Sequence, residues 1–198
     1  IVRLRLNNKI IEMNNELVKR NKQLNKVAEE LEALAFIDSL TNIANRRGLE
    51  YQLNMALAKN ATTNKTMSVI IFDIDDFKLI NDSFGHHIGD VCLINLASSL
   101  GFLFYGYDFI FSRYGGDEFV VVLFNVTEIE VKSISDSIVR LARKEKINTP
   151  KGVVSITVSV GAVTSNIDAT SKQMTLIELA DKNLYLAKER GKNQAVST

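Results

Sequence analysis

From Ile1 to about Phe36 the chain carries neither proline nor glycine, and Ile10, Leu17, Leu24 and Leu31 recur every seven residues among asparagine, lysine and glutamate. An apolar heptad of this kind is the seam of a coiled coil. Two companion series compete for the rest of the seam. Leu6, Met13, Arg20, Val27 and Leu34 are the more apolar, interrupted at Arg20. Asn7, Asn14, Asn21, Ala28 and Ala35 instead stack asparagines at the interface, which fixes register and two-strandedness while lowering stability. The pattern leaves both registers open. A helix of some 36 residues would extend about 54 Å at 1.5 Å per residue, more than a small domain is wide, so a parallel dimeric stalk is expected.

Beyond the stalk the period changes. The polar joint "DSLTNIANRRG" leads into an amphipathic helix reaching about Ala58, and "NATTNKT" reads as a loop. "MSVIIFDID" is a buried strand whose apolar run, Val69 to Phe72, gives way to Asp73, Asp75 and Asp76. A tight segment with Gly85 and Gly89 precedes a helix from about Asp90 to Phe104. "DFIFSRY" and "EFVVVLF" flank Gly115-Gly116, predicting a hairpin whose glycines supply positive φ. A helix is expected over Glu128 to Lys144. "VVSITVSVGAV" has the alternation of one strand with one covered face, and a last helix, about Leu176 to Arg190, stops at Gly191. The order α-β-α-β-β-α-β-α predicts an α+β domain over 37–198, a sheet with helices packed on it, behind a separate helix over 1–36.

Composition narrows the function. The 198 residues suffice to bury a core, and a formal net charge of +1 predicts no surface for wrapping nucleic acid. The single Cys92 sits at helical spacing among apolar residues and reads as a buried thiol. No apolar run approaching about 18 residues is evident, so no membrane contact by this segment is expected. The sequence opens at Ile1 inside a helical pattern, which suggests a segment of a longer protein, and a single cysteine fits a reducing, cytoplasmic compartment.

The acids carry the chemistry. If the strand ending at Asp73 neighbours the hairpin beginning at Asp117, the two carboxylates converge, and converging buried carboxylates need a cation. Oxygen ligands without histidine or cysteine select Mg²⁺ or Mn²⁺, held by a few carboxylates together with substrate phosphates. His86 and His87 read as hydrogen-bonding and solvated residues, and Leu184 and Tyr185 as core.

"RYGGDEF" resembles the signature of GGDEF-family diguanylate cyclases, which join two GTP molecules into cyclic di-GMP. "DSLTNIANRR", "FDIDDFKLINDSFGHHIGD" and "ADKNLYLAKERGKN" resemble three further motifs of that family, in family order, over about Asp38 to Asn193. The resemblance implies a mostly antiparallel central sheet of the nucleotidyl-cyclase type and an active site shared by a homodimer joined through the N-terminal helix. It implies that Asp73, the carbonyl of Ile74 and Asp117 hold the metal, with Asp117 also helping to deprotonate the ribose 3′-hydroxyl and Glu118 in support. Gly115 and Gly116 would lie against GTP, and Asn81 and Asp90 would bond the guanine edge. Phe77 and Lys78 would border the phosphates, which Lys188 and Lys192 would reach. The alternative is a catalytically silent module that binds GTP or a partner.

Asn42 and Ala44 depart from the family's glycine and proline, and Lys192 from its arginine. An inhibitory R-x-x-D site is not matched: aligned on Asp108, Tyr105 takes the arginine position, and aligned on the signature, Gly106 and Phe109 take the two positions.

Overall fold

The computed structural model describes residues 2–60, 66–166 and 173–198. The chain divides into two compact units, Ile1–Phe36 and Ile37–Thr198. The first is a single helix, α1 (Val2–Phe36), about 52 Å long at 1.5 Å per residue. Every side chain from Met13 to Val27 is exposed, leucines and valines included.

The second unit begins with β1 (Ala44–Asn45), α2 (Arg46–Asn60) and β2 (Thr66–Ile74). There follow α3 (Phe77–Phe84), α4 (His86–Gly101) with a 3-10 turn at Phe102–Phe104, then β3 (Asp108–Arg113) and β4 (Glu118–Phe124). The chain completes α5 (Glu128–Lys144), β5 (Lys146–Thr149), β6 (Gly152–Ser155), β7 (Val158–Asn166), α6 (Gln173–Glu189) and β8 (Ala195–Ser197). Six strands form one mixed sheet in the order β1-β3-β4-β2-β7-β8, and β5 and β6 form a separate ribbon. The four inner strands are antiparallel, and the short outer strands β1 and β8 run parallel to their neighbours. This is an α+β fold.

Strand β2 is central because it is apolar on both faces: every residue from Met67 to Ile74 is buried. On one face Ile70, Phe72 and Ile74 pack with Phe119 and Val121 of β4 against Cys92 and Leu96 of α4 and Ile134 and Ile138 of α5. The Phe72 and Phe119 rings stack with centroids 5.3 Å apart. On the other face Val69 and Ile71 pack with Val120 and Val122 against Leu49 and Leu53 of α2 and Ala180 and Leu184 of α6. Each fully buried valine, leucine, isoleucine or phenylalanine among them contributes about 1.5–3 kcal/mol. The sheet therefore sits between α4/α5 and α2/α6.

Two local devices fix the helices. α5 starts at a capping box, in which Thr127 Oγ1 accepts from the Glu130 N–H at 3.3 Å and the Glu130 carboxylate accepts from the Thr127 N–H at 2.8 Å. α6 lies directly on β7 at Gly161: a Cβ there would stand 2.1 Å from both the Ala180 carbonyl oxygen and the Leu184 nitrogen. Beside this contact Asn183 Nδ2 donates to the Ala162 carbonyl at 2.7 Å.

Several expectations need correction. Gly115 and Gly116 do not adopt positive φ; among the described glycines only Gly85, Gly106, Gly152 and Gly191 do. The segment before Asp90 is helical: α3 is a separate helix and α4 starts at His86. The stretch Val153–Val163 is not one strand, because the chain breaks between Ser155 and Val158, and β7 is covered on both faces rather than one. His86–Phe104 is long and apolar enough to cross a membrane, contrary to the sequence reading, yet Cys92, Leu93, Leu96, Ala97, Leu100 and Phe104 of this stretch are buried in the core. Tyr185 is exposed; only Leu184 is core.

Candidate active site

The apolar run of β2 ends in acids, and the three acids meet three different fates. Asp73 lies opposite Glu118 in β4 and Ser159 in β7. Directly paired strand residues share a face, so Glu118 stands on the same side of the sheet as Asp73, the side covered by α6. From α6, Lys188 Nζ donates to Asp73 Oδ2. Asp73 Oδ1 is buried and has no hydrogen-bond partner among the described residues. Burial pushes the Asp73 carboxyl up to about 6, aided by the charges of Asp117 and Asp75 and opposed by the Lys188 bond and charge.

Asp75 is also buried, but the protein satisfies it. Its Oδ1 accepts from Ser159 Oγ at 2.7 Å, and its Oδ2 accepts from Thr157 Oγ1 at 2.6 Å and from the Asn193 N–H at 3.0 Å. It clamps the end of β2 to the start of β7 and to the turn after α6. Asp76 is left-handed, with φ +56°, and opens α3. Lys192 Nζ donates to its carboxylate at 2.7 Å, and that bond raises the Lys192 ammonium above its usual range. Lys192 and Asn193 are left-handed as well, at φ +63° and +51°. Three non-glycine residues in this region beside one group of acids mark backbone held against its own preference.

The signature turn closes where β3 meets β4. The N–H groups of Tyr114 and Gly115 both donate to the Glu118 carbonyl, at 2.8 and 3.3 Å. A Cβ on Gly115 would stand 2.8 Å from Glu118 Oε2, the end of a flexible side chain that can turn aside, and a Cβ on Gly116 would meet nothing within 4 Å. Arg113 braces the turn: Nε and Nη2 donate to the Gly116 carbonyl at 3.0 and 2.7 Å, and Nη1 donates to Asp38 Oδ1 at 3.1 Å. Burial alone would raise the Asp38 carboxyl, but hydrogen bonds from Thr41 and then Arg113 outweigh it and hold the group below the usual carboxylate range.

The residues expected to contact nucleotide fall into two groups. Asp73, Glu118, Asp117 and Lys188 gather at the ends of β2 and β4, next to Asp76 and Lys192. Phe77 and Asn81 share one face of α3, and Asp90 lies in the first turns of α4. Asn81 Oδ1 is a second buried acceptor with no partner among the described residues. Lys78 is exposed on α3, and His86 and His87 are exposed on α4. Sequence reasoning missed the clamp on Asp75 and the Arg113–Asp38 brace. The serine and threonine of "SITVS" were the signal for the clamp, polar positions continuing inside a strand that is otherwise core.

A metal fits this arrangement in part. Among the described residues no group of three or more histidine, cysteine or carboxylate side chains is gathered to hold an ion alone. The buried, unpartnered Oδ1 of Asp73 nevertheless offers lone pairs of the type that Mg²⁺ takes, and such an ion completes its shell with phosphates and water.

The family model described as "Diguanylate cyclase, GGDEF domain" matches residues 35–194. The diguanylate cyclase DosC of Escherichia coli K12 is 35% identical over 159 residues, which cover 80% of this chain and 34% of DosC. Diguanylate cyclase A of Treponema denticola is 33% identical over 130 residues, 66% of this chain and 34% of that protein. The chain thus spans about a third of the length of these curated relatives. The crystal structure of the coiled coil and GGDEF domain of DgcB from Caulobacter crescentus, in complex with c-di-GMP, superposes with a TM-score of 0.81 at 26% identity, covering 94% of this chain and 99% of that one.

Proposed function

The chain belongs to the GGDEF family of diguanylate cyclases, and from that premise we propose that it condenses two GTP molecules into cyclic di-GMP, releasing two pyrophosphates. The observation that carries the proposal is Asp73: buried, with one oxygen unpartnered, opposite Glu118 and within electrostatic reach of Asp117 at the signature turn.

In this reading Asp73, the Ile74 carbonyl and Asp117 hold Mg²⁺ or Mn²⁺, which when bound neutralises charge on the triphosphate. Lys188 and Lys192 reach the outer phosphates and release Asp73 and Asp76 as they do so. Asp117 takes the proton of the ribose 3′-hydroxyl, whose oxygen then bonds to the α-phosphorus of the second nucleotide while pyrophosphate leaves. Gly115 and Gly116 let the turn approach the nucleotide, Glu118 supports it, Phe77 and Lys78 flank the phosphates, and Asn81 and Asp90 read the base. Most of the rate comes from positioning and charge neutralisation.

Each site holds one GTP, so two chains must face one another. The exposed Leu17, Leu24 and Val27 of α1 support pairing through that helix, under the control of a sensory region upstream. A GTP substrate places the domain on the cytoplasmic side.

The test is direct. Pure protein with GTP and Mg²⁺ is expected to form cyclic di-GMP, and Asp73→Ala and Asp117→Ala are expected to abolish the product with the circular dichroism spectrum unchanged. GTP binding without product in the unmodified protein would establish a silent binding module instead.

A further inference from the structure

Helices α3 and α4 are joined through Gly85 and meet at Gly89, in the first turns of α4. The φ of Gly89 is not in the left-handed region, so backbone freedom does not explain a glycine there. Space does. A Cβ at Gly89 would stand 2.0 Å from Asn81 Oδ1, 3.0 Å from Asn81 Cγ and 3.1 Å from Phe77 Cζ. The Asn81 carboxamide therefore rests on the bare Cα of Gly89, and the oxygen so placed is the buried acceptor that has no partner. An orphaned buried acceptor is a cost that a ligand donor removes. Asp90, the next residue, is the other acceptor expected at the base.

We propose that Gly89 is a specificity-determining positioning residue: by lacking a side chain it seats Asn81 Oδ1 where, together with Asp90, it accepts from the N1–H and 2-amino donors of guanine. Any side chain at this position swings the carboxamide away and removes an acceptor from the base-reading edge. This rests on the reading of the site as one for GTP. Adenine carries no donor at N1 and no 2-amino group, and hypoxanthine keeps N1–H but lacks the 2-amino group, so the three bases report separately on the two acceptors.

The experiment measures equilibrium binding of the α,β-methylene analogues of GTP, ITP and ATP, which cannot turn over, to the full chain and to Gly89→Ala, Asn81→Ala and the double variant. Gly89→Ala is expected to weaken the GTP analogue on the order of ten- to a hundredfold, as loss of one buried hydrogen bond does, while changing the ATP analogue little. Asn81→Ala is expected to match it. Adding Gly89→Ala to Asn81→Ala is expected to cost nothing further, because the group it displaces is gone. A merely structural glycine gives a different result: equal losses for all three bases, or additive losses in the double variant, would overturn the proposal. Should Gly89→Ala fail to fold, the double variant decides, since a fold restored by removing the Asn81 carboxamide supports the proposal and a fold still lost overturns it. If the unmodified chain shows no preference for the GTP analogue, the reading of the site itself fails, which is a separate result.

Discussion

The contact between β7 and α6 at Gly161 is the part of the fold most open to a single added carbon. In Gly161→Ala the new Cβ meets Ala180 O and Leu184 N at 2.1 Å and Asn183 C at 2.8 Å. These are backbone atoms of a helix, so no rotamer change relieves the clash. Reaching ordinary contact near 3.4 Å requires the helix to move by about 1.3 Å, the difference between that distance and 2.1 Å. Overpacking of this kind costs about 1–3 kcal/mol. Loss of the 2.7 Å bond from Asn183 to Ala162, which the shift breaks, adds about 1 kcal/mol. A destabilisation of about 3 kcal/mol is expected, equivalent to a fall of about 6–12 °C in Tm for a chain of this size. The same shift carries Lys188, a little over a turn beyond Leu184, off Asp73. Cyclic di-GMP synthesis should therefore fall on the order of a hundredfold at temperatures where the variant is still folded. Urea titration followed by circular dichroism measures the first effect and product chromatography the second. Gly116→Ala is the stability control, since nothing lies within 4 Å of its Cβ. A Gly161→Ala midpoint indistinguishable from that control would refute the close seating of α6.

Replacing Lys188 by Met should tighten binding of Mn²⁺ alone, read by electron paramagnetic resonance, because the ammonium no longer competes for Asp73; Lys192→Met, whose partner is Asp76, should change it less. Burial pushes the Cys92 thiol from 9.0 up to about 11, so native protein should resist thiol reagents at pH 8 and label on unfolding. Because the folded value is the higher, this thiol's contribution to stability is complete below about pH 9 and is lost as pH rises toward 11. Deleting residues 1–33 should shift sedimentation towards monomer and lower specific activity at low concentration; a monomer with α1 present would count against pairing. Calorimetry should detect little cyclic di-GMP binding that depends on Asp108, because the exposed Tyr105 supplies no charge to a phosphate, and tight binding there would show otherwise.

What the sequence disclosed depended on whether an element buries a periodic face. β2, β4 and α5 do, and their apolar runs predicted them almost to the residue. α3 has a stripe, Phe77, Ile80 and Phe84, that packs half-buried against the core, but its eight residues span barely two turns, too few for the period to stand out beside Gly85. β1 and β8 have two and three residues, too few to show alternation. The break before β7 was hidden because alternation continues through it, with Thr157 turned to the Asp75 carboxylate. The same logic governs the site. Asp73, Asp117 and Asn81 stand out as polar residues beside apolar runs, and motif resemblance gave them roles. That Asp75 is satisfied by the protein while Asp73 is not depends on partners from β7 and the turn after α6, which no local pattern connects to β2.

The Asp75 clamp also sets when a newly made chain acquires its site. Thr157 lies 82 residues beyond Asp75 and Asn193 lies 118 residues beyond it. A ribosome adding about 5–20 residues per second delivers β2 several seconds before either partner. Until then the acids at the end of β2 stay hydrated and unfixed, and Lys188 and Lys192 have not been made. Nascent chains therefore carry the signature turn without the site, and competence arrives only once the turn after α6 has been made, rather than by degrees.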